Sequence, residues 1–120
     1  MLKLKKVHED KRGIIYVFKI NGVEQLLIFT KKGHCRAGHI HDEIQYTMVL
    51  DGIVEWTQWE CEHETVRVMY KGEVQTTPTN MPHLLKAVTD CWILEIKKNP
   101  KNKTANMMTK YYRGIVESTR

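Results

Sequence analysis

Two histidines separated by one residue, His39 and His41, are the first side chains whose type and spacing point to chemistry. Side chains alternate between faces along an extended segment, so both imidazoles project to the same side. Two rings so placed can hold a metal ion or move protons near neutral pH. In a chain of 120 residues with six histidines this triplet is a weak signal by itself. Its surroundings are more specific. Five residues separate Gly33 from His39, three separate His41 from Gln45, and six separate Gln45 from Gly52. After nineteen intervening residues a second group opens with Gly72, followed after five residues by Pro78 and then by His83, five positions further on.

The two groups resemble the paired motifs of the cupin superfamily. The first runs Gly, five residues, His-x-His, three or four residues, Glu, six residues, Gly; the second runs Gly, five residues, Pro-x-Gly, two residues, His, three residues, Asn. Here Gln45 stands in place of Glu, Asn80 in place of the turn Gly, and Ala87 in place of Asn. Asn tolerates a left-handed backbone better than most residues, so the turn is retained. The resemblance covers residues 13–96 and implies an all-β fold, the double-stranded β-helix or cupin jelly roll, often dimeric. It also implies a metal site in which His39, His41, Gln45 and His83 hold one divalent first-row ion, zinc, iron, nickel or manganese. Exchanging carboxylate for amide removes the one anionic ligand and weakens such a site. Glu43 shares strand parity with His41 and is the alternative carboxylate.

A second resemblance is narrower. The run from Lys32 to His41 with Gln45, together with Asp10-Lys11-Arg12-Gly13, is similar to nucleotide-sugar cupins such as the sugar 3,4-ketoisomerases, departing at Ala37 where Gly is usual. That likeness implies an enzyme that isomerises or epimerises a nucleotide-linked keto sugar by proton transfer. His39 and His41 would be catalytic, and Arg36, Arg12 and Gln45 would bind substrate. Imidazole titrates close enough to neutrality to take and return protons beside a carbonyl, so no metal is obligatory on this reading. Two alternatives stand beside it: a metal-dependent cupin oxygenase or isomerase using His39, His41 and His83, and a non-catalytic ligand-binding cupin, since a fold does not fix an activity.

The elements that must position these residues read mostly with period two. Strands are expected at Ile14 to Ile20, Glu24 to Phe29, Gln45 to Leu50, Ile53 to Trp59, Thr65 to Tyr70 and Trp92 to Ile96. Asn21-Gly22 and Asp51-Gly52 are hairpin dipeptides, and Lys71-Gly72 and the Pro78 to Pro82 stretch are further turn signals. So many short strands without an intervening helical pattern predict a sandwich or barrel over residues 1–100. Residues 101–120 carry a helical stripe, Met107, Met108, Tyr111, Tyr112, Ile115 and Val116, read as a short C-terminal helix on the barrel or on a partner subunit.

Composition narrows the classes. With 42% apolar and 28% charged residues the chain is globular, and its longest apolar runs fall far short of the ~20 residues of a membrane-spanning helix. Charges interrupt the first ten residues where a secretory leader would be apolar, and three widely spaced cysteines write no disulfide framework, so a cytoplasmic protein with reduced thiols is expected. Six basic residues and no acid lie between Lys97 and Arg113. That end suits a small anionic substrate; without base-stacking order it does not indicate nucleic acid. The expected partners are therefore a small molecule and a second copy in a homodimer, with no nucleic acid and no membrane.

Overall fold

The computed structural model describes residues 3–37, 40–41, 44–78, 81–97, 104–105 and 116. Its strands, in chain order, are β1 (Lys5–Asp10), β2 (Gly13–Ile20), β3 (Val23–Thr30), β4 (Cys35–Ala37), β5 (Ile40–His41), β6 (Gln45–Asp51), β7 (Val54–Glu60), β8 (His63–Met69), β9 (Val74–Thr77), β10 (His83–Ala87), β11 (Cys91–Lys97) and β12 (Thr104–Ala105). Six form one sheet in the order β1-β2-β3-β11-β6-β9, four form a second in the order β4-β10-β7-β8, and β12 pairs with β5. Every recorded pairing is antiparallel. From β6 onward the chain passes repeatedly between the two large sheets, which makes a jelly roll of the expected all-β architecture.

Turn chemistry explains one expectation and corrects another. At Asn21-Gly22 both residues have positive φ, 51° and 78°, and the dipeptide closes the β2–β3 hairpin as a primed turn should. Asp51-Gly52 does not close a hairpin. It carries the chain from β6 in the larger sheet to β7 in the smaller one, where Gly52 (φ 90°) comes so near Asp90 and Cys91 that a Cβ would collide with their atoms. The dipeptide reported a positive φ correctly but not which strands it joins. The β7–β8 hairpin instead turns at Cys61-Glu62, φ 51° and 67°, residues that give no hairpin signal.

Side-chain alternation divides the space between the sheets into two halves. Val49, Ile93, Cys91, Ile28, Val54, Trp56, Met69, Leu85 and Ala87 form one buried apolar cluster. Further along the same strands, on the same faces, lie Gln45 and Thr47 of β6, Glu95 of β11, His83 of β10 and Gln58 of β7. One half is thus a packed core, and the other is polar. Trp56 belongs to that core, whereas Tyr70, just beyond β8, is 55% exposed.

Strand β10 is buried on both faces from His83 to Leu85, with Lys86 exposed. Leu85 and Ala87 face the core, while Leu84 packs outward against Cys35 and the helical Val116. The remainder of the stripe from Met107 to Ile115 lies outside the described residues. Residues Thr104–Ala105 return as β12 against Ile40–His41.

Fully buried Ile93 sits at the centre of the apolar half, so Ile93→Ala should cost about 2–5 kcal/mol in urea unfolding. A loss within the ~0.5 kcal/mol of an ordinary surface change would contradict that placement.

Candidate functional site

The polar half is built on strand register. Gln45 faces Thr77 of β9 and Lys97 of β11, and the next row places Thr47 between Gln75 and Glu95. Gln45 and Thr47 are almost wholly buried, as is Thr77, and the side-chain oxygens Gln45 Oε1, Thr47 Oγ1 and Thr77 Oγ1 have no hydrogen-bond partner among the described residues. Native interiors rarely leave buried acceptors unpaired. Three on one patch of one sheet mark a surface shaped for something with donors of its own.

The opposite sheet contributes His83. Its ring is buried, stacks on Trp56 with centroids 5.1 Å apart and planes 12° from parallel, and donates from Nδ1 to the Met81 carbonyl at 3.0 Å. A carbonyl only accepts, so Nδ1 carries the proton and Nε2 is the lone-pair nitrogen. Burial lowers the imidazole's pKa, against the smaller opposing effect of that hydrogen bond, and favours the neutral ring. Trp56 is oriented in turn by Nε1 donating to Gln58 Oε1 at 3.0 Å, and Gln75 Nε2 approaches the same oxygen at 3.5 Å from the facing sheet.

Arg36 lies on β4 with its backbone opposite Leu85, and only 5% of its surface is exposed. Nε donates to Thr30 Oγ1 at 2.8 Å and Nη2 to the Phe29 carbonyl at 3.0 Å; Nη1 is buried and has no partner among the described residues. Burial, then the positive charge of Arg12, bring the guanidinium pKa down to about 10, so the group remains cationic at neutral pH. Arg12 is also buried, but its Nε and Nη2 both donate to Asp10 Oδ2, at 3.0 and 2.7 Å, and His8 Nε2 lies 2.8 Å from the same oxygen. The Arg12 fork is committed to Asp10; Arg36 keeps an open donor.

Of the residues singled out from sequence, the structure therefore brings Gln45 and His83 into the polar half and Arg36 into the interior. His41 is described as part of β5 through its backbone only, and His39 and Glu43 lie outside the described residues. Sequence reasoning missed Glu95, which faces Thr47 on the inner side of β11. Its signal was available: a charged residue at the inward position of an otherwise apolar alternation that includes Cys91 and Ile93. Glu95 is half-buried. Burial raises its carboxyl pKa despite the charges of Lys97 and Arg36. A separate groove of about 460 Å³, lined by Lys3, Lys5, Lys19, Glu24, Val7 and Phe18, has only exposed charges in its wall and lacks such a buried polar set.

The Asp10–Arg12 pair makes a testable contribution. Arg12 holds the Asp10 carboxyl well below the usual carboxylate range, so its stabilisation is present above the unfolded pKa of about 3.9 and is lost as pH falls through the lower folded value. Asp10→Asn should lower the melting temperature at neutral pH and flatten the acid limb of a stability profile taken from about pH 7 down to about pH 2. An unchanged acid limb would remove Asp10 from the account.

No family model and no curated protein matches the chain. Solved structures do. A deletion variant of Bacillus subtilis oxalate decarboxylase superposes with a TM-score of 0.75 at 15% identity, over 87% of this chain and 30% of that one. A Lactobacillus farciminis oxalate decarboxylase in a formate complex gives 0.72 at 16%, over 82% and 31%. A B. subtilis oxalate decarboxylase structure concerned with Mn(II) centres gives 0.68 at 17%, over 77% and 26%. The chain spans less than a third of the length of these proteins, and at such identities the likeness speaks to the fold. Together with the two facing sheets and the crossing connections between them, it establishes that this chain has the cupin jelly-roll fold.

Proposed function

We propose that the protein is a metal-binding cupin that acts on a small anionic molecule inside the barrel. One observation carries the reading: Gln45 and His83, drawn from two separate sequence motifs, are both fully buried in the same polar half of the interior, and Gln45 Oε1 has no partner there. The donor set fits a divalent ion. His83 has its tautomer fixed through Nδ1, as metal-bound imidazoles commonly do, and an orphaned amide oxygen is an acceptable oxygen ligand. Among the described residues no group of three or more His, Cys, Asp or Glu side chains forms a metal cluster by itself, so the site needs His39 and His41 as well. The Mn(II) centres of the structurally similar oxalate decarboxylase support this choice by analogy.

A divalent ion bound there would act as a Lewis acid on a substrate oxygen. The chain's own residues do the rest. The Met81 carbonyl holds His83 in one tautomer, and Trp56 covers one face of its ring. Arg36 has a buried cationic donor for a carboxylate or phosphate oxygen, where a charge-assisted hydrogen bond is stronger than at the surface. Thr47 and Thr77 have hydroxyls for the hydroxyl or keto groups of the same molecule.

The keto-sugar reading stands second, favoured by the same buried Arg36 as a partner for a nucleotide diphosphate. The expected second contact, Arg12, is already engaged by Asp10. Protein purified without chelator should carry about one divalent ion per chain by elemental analysis. His83→Ala should lose most of it, and chelation should lower the melting temperature. Metal-free protein that exchanges solvent deuterium into a 4-keto-6-deoxy nucleotide sugar, with loss of exchange in His39→Ala and His41→Ala, would overturn the metal reading in favour of the second.

A further inference from the structure

We propose that the outer face of the larger sheet, centred on Trp92, is the surface through which two copies of this chain pack face to face about a twofold axis. The inference is independent of the metal reading, and it gives the expected second copy a place on the fold. Its basis is a sheet that is apolar on both sides. Strand register sets Tyr16, Leu27, Leu94 and Met48 in one outward row and Phe29 and Trp92 in the next. The Trp92 ring stacks on Tyr16 with centroids 6.3 Å apart and lies 5.0 Å from that of Phe29. All six side chains are half-buried, shielded by one another and not covered. An antiparallel sheet with one face in water ordinarily alternates apolar with polar residues. Here no outward position of β2, β3, β6 or β11 carries a charge.

Charge and size identify the occupant. A twofold interface sets the same patch of both copies against each other, so a face without charges meets itself with no like-charge conflict. Charges begin at its rim, where Lys6 of β1 stands opposite Tyr16 and pairs with Glu9 at 2.9 Å. An uncharged aromatic centre inside a polar rim is the usual anatomy of a protein interface. The outer face of the smaller sheet differs, since Glu55 stands between Lys86 and Val68 and interrupts its exposed valines. With strands about 4.8 Å apart and a rise of about 3.4 Å per residue, the outer face of β2, β3, β11 and β6 covers on the order of 500 Å² in flat projection. The accessible surface of the side chains standing on it is larger and approaches the roughly 800 Å² per partner of a stable interface. Two such faces can stack about 10 Å apart, as the sheets of a sandwich do. The described residues of the C-terminal extension lie elsewhere, Thr104–Ala105 on β5 and Val116 on β10.

The test is sedimentation velocity of the full chain over a range of concentrations, with circular dichroism to check the fold of each variant. The parent should sediment as a dimer, and its melting temperature should rise with concentration. Leu94→Glu, at the centre of the face, should weaken the dimer about 100-fold or more, because twofold symmetry buries two carboxylates against apolar surface. Tyr16→Glu, nearer the edge, should do the same and serves if the first variant does not fold. Val66→Glu, on the outer face of the smaller sheet and 60% exposed in the parent residue, should leave the dimer intact. A folded Leu94→Glu or Tyr16→Glu as dimeric as the parent, or dissociation by Val66→Glu in their place, would overturn the proposal. A monomeric parent would overturn it as well: a melting temperature lowered by Leu94→Glu would then mean that the chain's own residues cover the face, and an unchanged one that it serves a different protein.

Discussion

Polar side chains without partners, closed off from bulk water, are the constraint around which this barrel is arranged. Each unsatisfied buried group costs about 1–3 kcal/mol, more when charged, against a net stability of roughly 5–15 kcal/mol for a domain. Gln45 Oε1, Thr47 Oγ1, Thr77 Oγ1 and Arg36 Nη1 are four such atoms in one small interior. Apolar residues of similar volume at those positions would fold more stably. Their presence argues for a ligand that completes them, and their cost argues for the dense apolar cluster at the other end of the same strands. The two halves are linked: Val49 follows Thr47 on the inner face of β6, and Ile93 precedes Glu95 on that of β11. The core fixes the backbone, and the polar half uses its rigidity to hold side chains in place.

Strand β10 links the interior to the outer surface. His83 faces the polar half, while Leu84, the next residue, points outward beneath Val116. The only other described part of the C-terminal extension, β12, pairs with β5, the segment that carries His41. Both contacts place residues beyond 100 against strands that carry predicted ligands. Thr104–Ala105 and Val116 thus lie against β5 and β10 respectively.

How legible this was in the sequence depends on whether a feature is local. The β2–β3 hairpin was legible because Asn21-Gly22 encodes its turn in two residues. Gln45 and His83 were singled out by the resemblance of their motifs, and strand register places both on inner faces. Strand β10 was not, because His-Leu-Leu-Lys-Ala does not alternate: Leu84 is covered by a residue more than thirty positions away. Strand β1 escaped for the opposite reason, since it is an edge strand exposed on nearly every residue and buries no stripe to alternate. Asp51-Gly52 misled because a positive φ is local information whereas the choice of partner strand is not. Arg12 and Arg36 were expected together as substrate-binding cations, and nothing in the sequence marks them as unequal. Only the coordinates show that Asp10 takes up the first and leaves the second with a free donor.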